Sequence, residues 1–288
     1  MQENTRPRRS VLYMPGSNAR ALEKAKGLNA DCLILDLEDA VSPEEKLQAR
    51  GMVAEAVRMG GYGRRELIIR INGLDSEWGA DDLDAACAAA PDAILVPKTE
   101  RASQVQEIVS RMEALNTPNT TALWAMMETP LAMLNAGEIA SASPRLAAFV
   151  MGTNDLVKDM HASHTVDRLP VITGLGLSLL AARAHGLIIL DGVHNAIKDE
   201  EGLRAACIQG KELGMDGKTL IHPAQLAITN EVFSPSSAAI DLAQRMVYAF
   251  EEAKAEGRGV ALVDGRIVEN LHVAEAHRIL AMAEAIAT

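Results

Sequence analysis

Eight short apolar runs, each followed by a helical segment, constrain the fold more than any other feature of this 288-residue chain. The runs are continuous rather than alternating, which is typical of parallel strands covered on both faces. They read SVLYM (10–14), CLILDL (32–37), LIIRI (67–71), AILVP (93–97), ALWAMM (122–127), AAFVM (147–151), LIIL (187–190) and KTLI (218–221). Eight strand-to-helix units predict an α/β fold of the (β/α)₈ TIM-barrel type. The alternative, an open doubly wound sheet, has less support because no glycine-rich phosphate loop follows the first run.

The pattern changes after about residue 233. The segment FSPSS (233–237) is followed by a long amphipathic helix (238–256), a hairpin (260–269) with Asp264-Gly265 at its turn, and a last helix (271–286). We therefore predict a barrel domain at 1–233 and a C-terminal arm at 234–288. The arm is expected to be too small to hold a core of its own, so that it packs on the barrel or on a neighbouring subunit.

Composition narrows the class of protein. The chain is 48% hydrophobic but only 3% aromatic, which predicts an aliphatic core, and its net charge of −11 argues against a nucleic-acid partner. Three cysteines without zinc-like spacing indicate reduced core thiols in a cytoplasmic protein. No apolar run reaches the roughly 18 residues of a membrane span, and no signal-peptide stretch follows the N-terminal arginines.

Charged residues stand at the ends of four of the predicted strands, where a barrel places its active site. A carboxylate just past a buried strand is unfavourable unless it is paired or binds a cation. Several such groups indicate an all-oxygen site for a hard divalent ion, and hence a metal-dependent enzyme. The residues are Asp36, Glu38, Asp39, Arg70, Glu128 and Asp155.

Glu128 and Asp155 are the predicted metal ligands, because they follow consecutive strands. Two carboxylates completed by substrate oxygens and water suit Mg²⁺; the alternative is that both acids cap the helices that begin just after them. Glu38 and Asp39 are expected to reach the ion through water, with direct coordination of the ion as the alternative. Arg70 is predicted to bind a substrate carboxylate through two parallel hydrogen bonds, and a salt bridge to Glu38 or Asp39 is its alternative or additional role.

Two further polar residues keep alternatives open. Lys98 follows the fourth strand and either pairs with a carboxylate of the site or forms a structural ion pair. His222 follows the eighth strand and either donates to a ligand or is a satisfied core histidine.

The chain resembles the HpcH/HpaI aldolase or citrate lyase β-subunit family. The resemblance rests on stretches that occur in the family's order: RSVLYMPGSNARALEKA, LILDLEDAV followed by KLQAR, RINGLD, ILVPK, METPLAMLN, MGTNDL and GKTLIHPAQLAITNEVFSPS. It implies a (β/α)₈ barrel, Mg²⁺, and a homotrimer or hexamer. The implied substrates are hydroxyacyl thioesters of coenzyme A (CoA) or of an acyl carrier protein.

Position by position, the resemblance also implies site residues. Glu128 and Asp155 match the metal ligands, and substrate contacts are implied for Arg70, Asn154 and Asp155. The CoA contacts implied are Tyr13, Arg20, Lys24, Leu220 and Ile221. Asn18 departs from the family pattern, since related malyl-CoA lyases carry an arginine there.

The arm departs from the family as well. CoA-dependent relatives deliver a catalytic aspartate to the neighbouring subunit, whereas this chain has Gly265-Arg-Ile-Val-Glu269, with an acid one methylene longer. Its VDGRIVENLH ending resembles the branch that hydrolyses malyl-CoA. The resemblance thus implies Mg²⁺-dependent hydrolysis of (3S)-malyl-CoA to malate and CoA, with Glu269 of a partner activating water. The alternatives for the protein are a carbon–carbon lyase of malyl-CoA, citramalyl-CoA or citryl-CoA, and a carrier-protein-dependent subunit of a lyase complex. The alternative for Glu269 is that it is an exposed acid at the end of a strand.

Overall fold

The computed structural model describes residues 6–287, and eight parallel strands in it close into a barrel in sequence order. All eight predicted strands are present, which confirms the (β/α)₈ fold class. They are β1 (Ser10–Pro15), β2 (Cys32–Asp36), β3 (Glu66–Arg70), β4 (Ala93–Val96), β5 (Ala122–Met127), β6 (Leu146–Met151), β7 (Ile188–Asp191) and β8 (Gly217–Leu220). Their interior is filled by aliphatic side chains around the fully buried Trp124.

Strand register places the charged strand ends beside one another. Asp36, the last residue of β2, pairs directly with Arg70, the last residue of β3. Met127, which precedes Glu128, pairs with Met151 of β6. Because the strands are parallel, these residues all lie at the carboxyl end of the barrel.

Helices follow the strands, and their bounds lie close to the predicted ones with two differences. The predicted helix at 130–140 is two short helices separated at Asn135, and a helix at Ile172–Ala184 was not predicted. The helices of this part of the chain are α1 (Ala19–Ala25), α2 (Lys46–Met59), α3 (Gly79–Ala89), α4 (Ala102–Ala114), α5 (Pro130–Leu134), α6 (Ala136–Ala140), α7 (Thr153–Asp159), α8 (Ile172–Ala184), α9 (Glu200–Leu213) and α10 (Leu226–Phe233).

The chain divides into two compact units. Arg8–Asn230 forms the barrel unit, and the segment from Glu231 onward belongs to the second unit. That segment contains α11 (Ser237–Ala255), the antiparallel pair β9 (Ala261–Val263) and β10 (Arg266–Val268), and α12 (Asn270–Ala287). We refer to it as the arm.

The arm contains the predicted hairpin. Asp264 and Gly265 both have positive φ (50° and 76°), as a two-residue turn of type I′ requires. Arg245 on α11 donates to both Asp264 carboxylate oxygens at 2.7 and 2.9 Å and so ties the turn to the helix. An apolar cluster centred on Phe250 and Val268 corrects the expectation that the arm holds no core of its own.

Two of the composition-based expectations can be compared with the structure. The three cysteines, Cys32, Cys87 and Cys207, are all free and buried. No helix within residues 6–287 has the length and apolarity needed to cross a bilayer.

Candidate active site

A cavity of about 280 Å³ opens at the carboxyl end of the barrel. Seven of the predicted or highlighted residues line it: Tyr13, Asp36, Asp39, Arg70, Asn154, Asp155 and Ile221. Gly152 also lines it, and Glu128 lies directly behind that glycine, since a Cβ atom built on Gly152 would stand 2.7 Å from Glu128 Oε2. Asp155 therefore lines the cavity, while Glu128 is buried against Gly152 of its wall.

Glu128 is a buried carboxyl group, 2% exposed, just past the end of β5. Its Oε1 accepts the backbone N–H of Lys98 at 2.7 Å, which fixes the carboxyl group across the gap between two strands. Burial raises the pKa of Glu128 to about 8, and the neighbouring charges of Glu38 and Asp155 add to the rise. A buried carboxyl surrounded by other carboxyls is the setting in which a bound cation is most favourable.

Lys98 contributes to the site through its backbone. Its φ of 46° is in the left-handed region, which a lysine seldom adopts, and this conformation directs its N–H at Glu128. Burial alone would lower the pKa of Lys98, but Glu128 and Glu38 outweigh burial and raise it. The Lys98 side chain is exposed and forms neither of the two ion pairs considered for it within the described residues. Its contact with Glu128 through the backbone has no signal in the sequence.

The helix-capping alternative for the two acids is wrong. The cap of α5 is Thr129, whose side chain accepts the N–H of Ala132 at 3.2 Å. The cap position of α7 is Gly152, and Asp155 lies in the first turn, half-buried at the cavity wall. Neither carboxylate is thus occupied by capping its helix.

The guanidinium of Arg70 is held by carboxylates along its edges and by an aromatic ring on one face. Its Nε and Nη2 donate to Asp36 Oδ1 and Oδ2, both at 2.6 Å, as a bidentate pair. Its Nη1 lies 2.6 Å from Glu38 Oε2 and donates to Asp39 Oδ2 at 3.5 Å. The ring of Tyr13 stacks on the guanidinium, with 4.8 Å between Cζ and the ring centre. The predicted salt bridges to Glu38 and Asp39 are therefore present, but Asp36 is the principal partner.

Asp36 connects Arg70 with the loop after β2. Besides the guanidinium, its two oxygens accept the N–H groups of Glu38 at 2.9 Å and Ala40 at 3.1 Å. Lys46 holds the same loop from the other side, because its buried ammonium donates to the carbonyl oxygens of Leu37 at 2.8 Å and Glu38 at 2.7 Å. The backbone of Glu38 is thus held by two buried charged residues, Asp36 and Lys46.

Glu38 carries an oxygen atom with unused bonding capacity. Oε2 pairs with Arg70 by charge, yet it is buried and has no partner of hydrogen-bond geometry among the described residues. Burial raises the pKa of Glu38 to about 7, Arg70 opposes that rise, and Asp39 and Asp36 reinforce it. A buried carboxylate oxygen that is paired by charge but lacks a well-oriented hydrogen bond is the kind of group that a cation or its bound water satisfies.

These observations fit a hard divalent cation. The donors at the cavity are carboxylate oxygens, which suit Mg²⁺ better than a soft metal. In residues 6–287, no group of three or more His, Cys, Asp or Glu side chains is arranged to enclose an ion. Mg²⁺ commonly takes one or two carboxylates and completes its shell with substrate and water, a pattern that two carboxylates such as Glu128 and Asp155 would fit.

Two polar residues near the cavity have local partners. Asn154 exchanges reciprocal amide hydrogen bonds with Asn195, at 3.1 and 2.8 Å, across the strand ends of β6 and β7. His222 Nδ1 accepts the N–H of Ala224 at 3.1 Å and caps the short 3₁₀ turn that follows. His222 is therefore a local cap in this structure.

The residues implied as CoA contacts lie in two places. Arg20 and Lys24 are exposed on α1, one helical turn apart. Ile221 is 39% exposed at the cavity, whereas Leu220 is fully buried in β8. The side chain of Asn18 caps α1 by accepting the N–H of Ala21 at 3.0 Å, so this residue has a structural role at the start of the helix.

Glu269 lies in the arm between β10 and α12, and its side chain is exposed. Its N–H donates to His272 Nδ1 at 3.1 Å, and its carbonyl oxygen accepts the N–H of His272 at 2.9 Å. The strand end is thus fastened to the first turn of the helix, while the carboxylate remains accessible.

Fold and site together define a (β/α)₈-barrel protein whose cavity, at the carboxyl end of the strands, is lined by carboxylates and a buried arginine. Residues 9–223 match the model of the HpcH/HpaI aldolase/citrate lyase family, and the chain belongs to this family.

Known proteins resemble the whole chain. A (3S)-malyl-CoA thioesterase of Cereibacter sphaeroides is 58% identical over 100% of this chain and 98% of its own length. The citrate lyase subunit beta of Leuconostoc mesenteroides is 37% identical over 98% of this chain and 95% of its own. Among solved structures, CitE of Mycobacterium tuberculosis in complex with magnesium, acetoacetate and coenzyme A has a TM-score of 0.78 and 28% identity, and covers 96% of this chain and 97% of its own.

Proposed function

We propose that this protein is a Mg²⁺-dependent hydrolase of (3S)-malyl-CoA that releases malate and free CoA. The observation that supports the proposal is that Asp155 and Arg70 line one cavity, with Glu128 against Gly152 in its wall. A metal site and the guanidinium of Arg70 at one cavity suit a substrate with a hydroxyl and a carboxylate on adjacent carbons. The relative of 58% identity that bears the name (3S)-malyl-CoA thioesterase supports the same substrate.

Glu128 and Asp155 would hold the metal ion, and Mg²⁺ supplies Lewis-acid polarisation of substrate oxygens when bound. Glu128 keeps its position through the Lys98 N–H and through Gly152, which leaves room for the carboxyl group. Glu38 and Asp39 would accept hydrogen bonds from water at the ion.

Arg70 would bind the free carboxylate of the malyl group. Its Nε and Nη2 are occupied by Asp36, so the substrate contact falls to Nη1, which faces Glu38 in this structure. The two parallel hydrogen bonds predicted from sequence would require Asp36 to release one edge of the guanidinium. We infer a contact through Nη1 with Glu38 turned aside.

Hydrolysis needs a base that takes a proton from water while the water oxygen bonds to the thioester carbonyl carbon. The carbon–sulfur bond then breaks, and the thiolate leaves as CoA and is protonated. We assign the base to Glu269, supplied by the arm of a neighbouring copy in a homotrimer or hexamer. Its exposed carboxylate on a fastened strand end is compatible with that role.

CoA itself would be bound at the rim of the barrel. Arg20 and Lys24 on α1 offer two cations for its phosphate groups, and Ile221 offers apolar contact inside the cavity. Leu220 would contribute through its backbone, and Tyr13 through the ring that stacks on Arg70.

Product analysis tests the proposal. Purified protein is incubated with malyl-CoA and Mg²⁺, and free thiol and glyoxylate are quantified in parallel, with EDTA as control. Hydrolysis predicts one free thiol for each malyl-CoA consumed and no glyoxylate. Glyoxylate with acetyl-CoA and no free thiol would instead assign the protein to carbon–carbon cleavage, the reaction that the citrate lyase relatives bring into consideration.

A further inference from the structure

We propose that Asp36 is the positioning residue that makes Arg70 selective for substrates with a free carboxylate. The inference deepens the proposed function and rests on it for the identity of the substrate. Asp36 is 1% exposed, and both of its oxygens are hydrogen-bonded to Arg70 at 2.6 Å.

The pair restricts the orientation of the guanidinium. A bidentate contact to Nε and Nη2 fixes the plane of Arg70, and the Tyr13 ring restrains one face of that plane. The group that remains is Nη1, and it is directed at the cavity side where Glu38 and Asp39 lie. The direction of Nη1 is therefore fixed, and Arg70 does not act as a freely rotating positive charge.

The pair also sets the charge of the site. Asp36 neutralises Arg70 in the resting protein, so the pair presents little net charge to an incoming anion. Recognition then depends on the direction of Nη1 and on the loop residues that flank it. Asp36 controls both, because its oxygens also accept the N–H groups of Glu38 and Ala40.

Loss of the Asp36 carboxylate would disturb recognition as well as the stability of the fold. In Asp36→Asn, the amide nitrogen replaces one acceptor and faces an N–H donor of Arg70 or of the loop. Without the bidentate pair the plane of the guanidinium is no longer fixed, so Nη1 is expected to lose its direction toward the cavity.

A selectivity measurement separates positioning from simple destabilisation. Malate and 3-hydroxybutyrate differ by a carboxylate in place of a methyl group. The ratio of their dissociation constants with Mg²⁺, measured by calorimetry, reports what that carboxylate contributes through Arg70 and the metal ion together, and its change in an Asp36 variant reports the Arg70 part. Asp36→Asn is expected to reduce the preference for malate by about tenfold or more, the effect of one charge-assisted hydrogen bond. The same loss is expected in the ratio of kcat/KM for malyl-CoA over 3-hydroxybutyryl-CoA.

A matched control lies at the other end of the same strand. Glu66 begins β3 and accepts Arg8 Nε at 2.5 Å and Nη2 at 2.9 Å, which is also a buried bidentate pair. Glu66→Gln should lower the melting temperature without changing the preference for malate. If Asp36→Asn does not fold, Asp36→Glu keeps the charge but displaces it by one methylene, and it should show a reduced preference as well.

These experiments distinguish failure of the role proposed for Asp36 from failure of the proposed thioesterase function. If wild-type protein releases no CoA but loses its preference for malate in the Asp36 variants, the thioesterase assignment falls and the positioning role stands. If folded Asp36 variants keep the wild-type preference, or if wild-type protein shows no preference, the role proposed for Asp36 is refuted.

Discussion

The substitution Gly152→Ala tests whether the position of Glu128 is essential to the site. A Cβ atom on Gly152 would stand 2.4 Å from Glu128 Cβ and 2.7 Å from Oε2, whereas ordinary contacts begin near 3.4 Å. The Glu128 side chain must therefore move by about 1 Å, and its Cβ cannot swing away as the end of a flexible chain would.

The magnitude of the effect follows from this displacement. Misplacement by about 1 Å costs about a hundredfold in rate when the displaced group acts in catalysis. Extra volume in a packed site destabilises by about 1–3 kcal/mol, which a domain of this size tolerates. We therefore expect a folded Gly152→Ala protein with Mg²⁺ affinity and turnover both strongly reduced.

Calorimetric titration with Mg²⁺ and the thiol-release assay measure these effects. Gly51→Ala in α2 is the control, because a Cβ atom there meets no atom within 4 Å, and it should retain wild-type binding and turnover. A Gly152→Ala protein with wild-type metal affinity and rate would refute the placement of the metal at Glu128.

Three more predictions address the other charged groups. Glu128→Ala and Asp155→Ala should each abolish Mg²⁺ binding in the same titration with the fold retained; undiminished affinity in either would exclude that residue as a ligand. Arg70→Lys should lower kcat/KM for malyl-CoA by at least about tenfold, since lysine lacks the fork that pairs with Asp36; an unchanged value would leave Arg70 with structural pairing alone. Asp191→Asn should destabilise the fold at neutral pH by about 3–5 kcal/mol, because the buried carboxylate accepts Lys218 Nζ at 2.8 Å. Burial alone would raise the pKa of Asp191, but Lys218 outweighs burial and lowers it, so its stabilisation is lost as the pH falls below about 4. Urea unfolding of the two proteins should therefore converge toward low pH, and a constant difference would contradict the ion-pair account.

The barrel could be predicted from sequence because its signal is repeated. Eight continuous apolar runs, each followed by a helix, leave few other arrangements. The helix α8 was missed because Ile172–Ala184 is apolar on most of its faces and contains Gly174 and Gly176, so it shows no amphipathic period.

Only part of the site could be predicted from the sequence. The acids at the strand ends could be grouped because parallel strands end on one face, but the partner of Arg70 depends on strand register. Asp36 faces Arg70 because β2 and β3 pair over five residues each, which loop lengths in a sequence do not reveal. The contact of the Lys98 N–H could not be predicted from the sequence either. It depends on a positive φ at Lys98, and a lysine, unlike a glycine, does not indicate that conformation.

The central claim is that this cavity catalyses attack of water on the thioester of malyl-CoA. The most direct measurement is mass spectrometry of the malate formed from malyl-CoA in ¹⁸O-labelled water with Mg²⁺, together with the amount of free CoA. The account predicts a single ¹⁸O atom in the carboxyl group derived from the thioester, one CoA for each malate, and no product in Glu128→Ala. Acetyl-CoA and glyoxylate in equal amounts, without labelled malate, would contradict it.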